Sequence, residues 1–236
     1  MFISKELLQE CCNELSLSIN DDIISKFDTY ATELVKYNDK VNLTAITDPD
    51  EIVIKHFADS LALFKYVDTL PSSKLADVGT GAGFPGIPSL IYGNVNLTVF
   101  DAVNKKLDFI RYLLNQLGLS AEVIHKRAED AGKDPAFREK FDFVTARAVA
   151  QLRVLSEFCV PLVKVGGSFL SMKGDISVEE RQFISPACEK LGAKVINEYN
   201  YTTHSGDIRN LIIIKKLSQT SSKYPRNMGQ INKKPL

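Results

Sequence analysis

The sequence predicts an α/β fold: a mostly parallel seven-stranded sheet with an antiparallel last strand, preceded by helices. Three observations carry this. After Ser73, β-rich segments alternate with helical segments of about 10–15 residues, as βαβ units require. The two closing strands are joined only by the turn Ser205-Gly206-Asp207, so they must be antiparallel to each other. Residues 1–67 carry helical periodicity instead.

In chain order, Ile23, Ile24, Phe27, Tyr30, Ala31 and Leu34 form one apolar stripe of a helix. A second helix starts at Asp48 as N-cap, with Pro49 first and Glu51 completing the capping pattern, and is expected to run to Val67. Strands follow at 75–78, 95–100, 121–125, 141–145 and 167–172. Helices are expected over 104–117, 149–165 and 178–191, the second interrupted by Pro161. The last two strands span 194–201 and 211–216. This divides the chain into a helical segment over 1–68, a sheet domain over 69–217 and a basic tail over 218–236.

At 236 residues, 44% hydrophobic and 25% charged, the composition excludes a disordered chain, a collagen-like chain and a disulfide scaffold. No apolar run reaches the roughly 18 residues of a membrane span, and the first residues do not read as a signal peptide. Cys11, Cys12, Cys159 and Cys188 form no Cys-x-x-Cys pair, and His56, His125 and His204 are scattered. No metal site is expected, and inert thiols fit a reducing cytoplasm. The net charge is zero but uneven: residues 1–60 hold twelve acids against five lysines, while residues 215–236 hold six bases and no acid. The basic end suggests a polyanion contact, with a solvated tail as the plain alternative.

The sharpest local signal is Asp77-Val78-Gly79-Thr80-Gly81-Ala82-Gly83-Phe84-Pro85-Gly86, a strand end opening through glycines into a helix. Gly79, Gly81 and Gly83 allow positive φ and close approach of a ligand to the backbone. Asp101 lies eighteen residues beyond Gly83, at the end of the second strand, where a carboxylate can accept both hydroxyls of a ribose. Together they indicate a nucleoside cofactor. Gly81, Gly83 and Gly86 also satisfy the dinucleotide fingerprint, so a nicotinamide oxidoreductase is a rival. Pro85 and Pro88 at the helix start and the antiparallel closing pair weigh against it.

Five segments then occur together and in order: Asn42-Leu43-Thr44-Ala45-Ile46, Lys55-His56-Phe57-Ala58-Asp59-Ser60, the loop from Asp77 to Pro88, Thr145-Ala146-Arg147-Ala148-Val149-Ala150, and Lys223-Tyr224-Pro225-Arg226. In these the chain resembles the glucose-inhibited division protein B family, from about Phe27 to Leu236. The resemblance implies a class I, Rossmann-like methyltransferase fold with S-adenosylmethionine as cofactor. It implies transfer to N7 of a guanine in bacterial 16S ribosomal RNA, near the decoding region. It also implies that Gly79, Phe84, Ala128, Glu129 and Arg147 line the cofactor site.

Guanine N7 carries an in-plane lone pair and no proton at neutral pH. Its methylation needs no general base, so no catalytic His or Cys is expected and positioning should dominate. Arg147 is the candidate positioning residue, toward cofactor, phosphate or guanine O6. His56 and Asp59, three apart on one helix, either shape the base pocket or latch the helices to the sheet. Lys55, Lys173, Lys223 and Arg226 are candidate phosphate contacts and Tyr224 a candidate base-stacking residue. The remaining expectations are a monomer acting on 16S rRNA or the small subunit. A non-catalytic RNA-binding module stays open as an alternative.

Overall fold

The computed structural model describes residues 1–147 and 150–236. A seven-stranded sheet has the order β3-β2-β1-β4-β5-β7-β6. Its strands are β1 Lys74–Val78, β2 Asn96–Asp101, β3 Glu122–His125, β4 Phe141–Arg147, β5 Val163–Lys173, β6 Ala193–Thr202 and β7 Ile208–Lys216. The first five pair in parallel, and β7 runs antiparallel to both β5 and β6.

The chain reaches the sheet through α1 Lys5–Glu14 and α2 Asp21–Asn38, whose first turns are closed by the side chains of Ser4 and Asn20. Asp48 caps α3 Pro49–Glu51 as the sequence predicts, accepting from the N–H groups of Asp50 and Glu51. The helix then differs from the uniform α-helix expected to Val67. Residues Ile52–Ala58 form a π-helical segment, and α4 Asp59–Tyr66 continues from it. Such segments redirect carbonyls and side chains locally, often at functional sites. Here the Lys55 and His56 carbonyls both turn toward Arg147.

Between the strands lie α5 Gly86–Gly93, α6 Asn104–Leu117, α7 Ala128–Ala131, α8 Leu152–Cys159 and α9 Val178–Lys190. Gly118 ends α6 at φ +62°, a left-handed position that suits glycine. The helix expected over 149–165 is shorter. Val149 lies outside the described residues, and α8 ends at Cys159, followed by a single 3₁₀ turn through Pro161. Proline removes a helical donor, and Val163 already pairs with Phe141 as the first residue of β5.

Two apolar layers cover the sheet. On one face α2 buries Phe27, Tyr30 and Leu34 completely, against Phe57 of the π segment, Phe84 and Phe109. Each such side chain contributes about 1.5–3 kcal/mol by leaving water. On the other face α8 and α9 pack Leu155, Phe158, Ile184 and Cys188 against Phe169 and Ile212.

The residues after Lys216 are not a solvated tail. Arg138 donates to the carbonyls of Thr220, Ser221 and Tyr224, and Thr220 donates to Glu139 and to Leu191. The chain then ends in α10 Met228–Lys233, opened by an Asn227–Gln230 capping box.

Candidate functional site

The site forms where β1, β2 and β4 end, on the edge at which α/β sheets hold ligands. A cleft of about 420 Å³ opens there. Gly79, Asp101, Ala128, Glu129 and Arg147 all line it, so five of the eight residues expected at a cofactor are brought together.

Asp101 is buried, and its carboxylate is fixed by two backbone donors: Gly81 N–H to Oδ2 at 3.0 Å and Val103 N–H to Oδ1 at 2.8 Å. A carboxylate has about four lone-pair sites, so one remains on each oxygen. Glu129 sits in the first turn of α7, 6% exposed, and its carboxylate has no hydrogen-bond partner among the described residues. Val78, Phe100, Leu155, Phe158 and Met228 also line the cleft, as do Lys106, Lys126 and Arg127.

Three expected residues lie elsewhere. Gly81 serves the site indirectly, by donating to Asp101. Gly83, at φ +107°, turns away from the cleft: a Cβ there would lie 2.5 Å from the Tyr30 hydroxyl and 2.8 Å from Ile87. Its small size lets Tyr30 donate to the Ala82 carbonyl at 2.6 Å and pin α2 to the glycine loop. Phe84 is buried, stacked on Tyr30 at 5.2 Å and on His56 at 4.4 Å, with the Arg147 guanidinium 5.0 Å from its ring centre. It holds Arg147 from beneath without lining the cleft.

Below the loop, Asp77 Oδ2 accepts from the Thr80 hydroxyl and from Gly86 N–H, and Oδ1 is buried without a partner among the described residues. Burial pushes its carboxyl up to about 6.

Arg147 is the pivot of the site. Nη1 donates to Asp59 Oδ2 at 3.1 Å, to Ser60 Oγ and to the Lys55 and His56 carbonyls; Nη2 lies 3.3 Å from His56 Nδ1. Arginine can only donate, so His56 Nδ1 must be the acceptor and the ring proton sits on Nε2. Nε2–H then donates to Thr44 Oγ1 at 3.0 Å. Burial and the adjacent Arg147 charge hold this imidazole down to about 3, and it is neutral at physiological pH. His56 and Asp59 thus latch the N-terminal helices to β4.

Arg147 also lines a second cleft of about 280 Å³, with Lys55, Asp59, Lys173 and Arg209. Of the expected RNA contacts, Lys55 reaches this cleft while paired with Glu51. Lys173 reaches it too, but its ammonium is engaged by Glu180 and by the Ala150 carbonyl rather than projecting as a free rim charge. Lys223 lies over the Tyr224 ring at 5.1 Å. The stacking role expected of Tyr224 fails, because the ring is buried against the second core layer. The phosphate role of Arg226 fails too: its Nε and Nη2 form a two-pronged pair with the wholly buried Glu157, at 2.8 and 2.6 Å.

Sequence reasoning missed Leu155, Phe158, Met228 and Arg209. Leu155 and Phe158 lie on the helical stripe of α8 and read only as core. Nothing local marks Met228, whose place depends on Arg138, 90 residues earlier, clasping the carbonyls of Thr220, Ser221 and Tyr224.

Comparison with known proteins decides the class. The profile of a family described as rRNA small subunit methyltransferase G matches residues 23–212. The chain belongs to this family. Ribosomal RNA small subunit methyltransferase G of Alkaliphilus metalliredigens is 42% identical over 236 residues, covering 99% of both chains. The protein of the same name from Lactobacillus delbrueckii subsp. bulgaricus is 43% identical, over 99% of this chain and 100% of that one. Among solved structures, a ribosomal protein L11 methylase from Lactobacillus delbrueckii subsp. bulgaricus superposes with a TM-score of 0.52 at 14% identity, covering 70% of this chain and 79% of that one, a likeness of fold. Family membership makes the protein a methyltransferase and removes the nicotinamide alternative. No helix among the described residues is long and apolar enough to cross a membrane.

Proposed function

We propose that this protein transfers a methyl group from S-adenosylmethionine to N7 of a guanine in 16S ribosomal RNA. The relatives' names supply the RNA, and the chemistry of the first cleft supports the cofactor. Asp101 has one lone pair left on each oxygen, matching the two adjacent hydroxyl donors of a ribose. Glu129, buried and without a described partner, suits a donor such as the adenine amine, and Ala128 offers backbone beside it. Leu155, Phe158 and Met228 provide an apolar wall for a flat base. Gly79, at φ +70°, lines the cleft without a side chain and would leave its backbone open to a bound cofactor.

When bound, S-adenosylmethionine supplies an electrophilic methyl group on a sulfonium. Beside Arg147 in the second cleft stand two side chains that could take a proton, His56 and Asp59. The observation that carries the N7 reading is the locked state of His56. One ring nitrogen accepts from Arg147, the other donates its proton to Thr44, and the imidazole stays neutral down to about pH 3. Asp59, the carboxylate beside it, is held by Arg147 and by the Tyr201 hydroxyl at 3.0 Å. Neither group is set to take a proton. An amine or hydroxyl acceptor would need one removed; guanine N7 does not. The rate advantage must come from holding acceptor and donor in line. Arg147, which lines both clefts, is the residue placed to do this.

The test is transfer of labelled methyl from S-adenosylmethionine to bacterial small-subunit RNA, naked and in particles, followed by nucleoside mass spectrometry. The expected product is 7-methylguanosine at a single position. Label on another base atom, on ribose, or on protein alone would refute the reading.

A further inference from the structure

The second cleft is a place where cations converge. Lys55, Arg147, Lys173 and Arg209 face it, with Asp59 the carboxylate on its wall. Three of these cations already have close acidic partners: Lys55 with Glu51, Lys173 with Glu180, and Arg147 with Asp59. Arg209 differs. It stands 3.5 Å from both Asp59 and Asp207, beyond a good charge-assisted bond to either, and its hydrogen bond is to the carbonyl of Ile208 beside it. Nε faces Asp59, Nη2 faces Asp207 and Nη1 donates to Ile208, so the second N–H on each of Nη1 and Nη2 has no partner among the described residues, on a side chain 23% exposed. It projects from β7, so a rigid strand sets its position.

Two such N–H groups on one planar guanidinium, its acidic neighbours held at 3.5 Å and the residue shared with the first cleft beside it, match a phosphate oxygen pair. We propose that the second cleft receives the acceptor nucleotide of an RNA strand and that Arg209 holds the phosphodiester flanking it. This rests on the RNA-methylation reading above and adds the residue that seats the substrate. Arg209 is a binding residue; it has no part in holding S-adenosylmethionine.

The test compares wild type, Arg209→Ala, Arg209→Gln and Arg209→Lys, each checked for an unchanged melting temperature. Binding to 16S RNA is measured across a salt series, alongside calorimetric binding of S-adenosylmethionine and the kinetic constants of transfer. Arg209→Ala and Arg209→Gln should weaken RNA binding on the order of tenfold, a loss of about 1.4 kcal/mol. Both should flatten the plot of log K against log salt by about 0.7, the share of one phosphate on a single strand. KM for RNA should rise while kcat and S-adenosylmethionine affinity hold, and Arg209→Lys should retain the wild-type salt slope. Wild-type RNA affinity and slope in both neutral variants would overturn the assignment. So would a loss confined to S-adenosylmethionine binding. Wild type that binds RNA and shows the Arg209 effect but transfers no methyl would leave the cleft assignment standing and refute the methylation reading instead.

Discussion

The guanidinium of Arg147 reaches Asp59 across 88 residues of sequence, Nη1 to Oδ2 at 3.1 Å. This pair joins the last residue of β4 to the first residue of α4, immediately after the π-helical segment. Both side chains are shielded, so the pair is worth little as a net gain but costs much if halved. Asp59→Ala leaves Arg147 without its carboxylate and the Tyr201 hydroxyl without its acceptor. Destabilisation of about 3 kcal/mol is expected by urea melting. Asp59→Asn, which keeps an acceptor for Tyr201, should cost less.

His56 gives a pH dependence whose direction is fixed. Folded, the imidazole titrates near 3 because burial and Arg147 oppose its charge; unfolded, it titrates near 6.5. Below about pH 6.5 the unfolded chain takes up a proton that the folded chain refuses, so stability falls as pH falls toward 3. Asp77 acts oppositely between 3.8 and about 6, where the folded chain holds its proton more tightly. Comparison with His56→Gln isolates the histidine. From pH 6.5 to 5 the wild type should lose about 1.5 kcal/mol more than the variant, as read by denaturant midpoints at each pH. Parallel curves would mean that folded His56 takes up a proton as readily as the unfolded chain does.

The C-terminal segment is expected to be structural. Arg226→Ala strands Glu157, which is wholly buried, and should cost about 3–5 kcal/mol. Deletion after Lys216 removes Arg226, the Arg138 clasp and Met228 together. Such a protein should melt far lower and bind S-adenosylmethionine more weakly. Thermal scans with and without ligand would show both effects, and a truncated protein with wild-type melting and affinity would contradict this.

Gly83→Ala separates packing from ligand approach. The new methyl would collide with Tyr30 and Ile87, and φ +107° strains any residue with a Cβ. A loss of at least about 2 kcal/mol in stability is expected. Pairing it with Tyr30→Phe should recover part of that loss, because the Tyr30 hydroxyl is the nearest clash, at 2.5 Å. Independent, additive losses in the double variant would count against the packing role.

The strand and helix pattern was legible because period and punctuation agree: Asp48 with Pro49, Asn104 to Gly118, and the turn at 205–207 all read correctly from local chemistry. The glycine loop and Asp101 were legible in the same way, while Ala128, Glu129 and Arg147 came to the site through the family resemblance; all of them end or follow strands on one sheet edge. What stayed hidden depends on contacts distant in sequence. Gly83 looked like a ligand glycine until Tyr30, 53 residues earlier, was seen to fill its space. Arg226 and Tyr224 looked like RNA contacts because their basic and aromatic character is visible in sequence, whereas the buried Glu157 that claims Arg226 is not. The π segment has no signal in hydrophobic period, because helices of either register bury the same stripe over so few residues. Arg209 escaped notice because its strand was expected to begin only at Leu211.

The most direct measurement is calorimetric titration of S-adenosylmethionine into wild type and Asp101→Ala, with the fold of each verified by its melting curve. One site in the wild type is expected, weakened by roughly 1–3 kcal/mol in the variant, the cost of removing a buried hydrogen-bond partner. Equal affinities in the two proteins would show that the cleft at Asp101 does not hold the methyl donor.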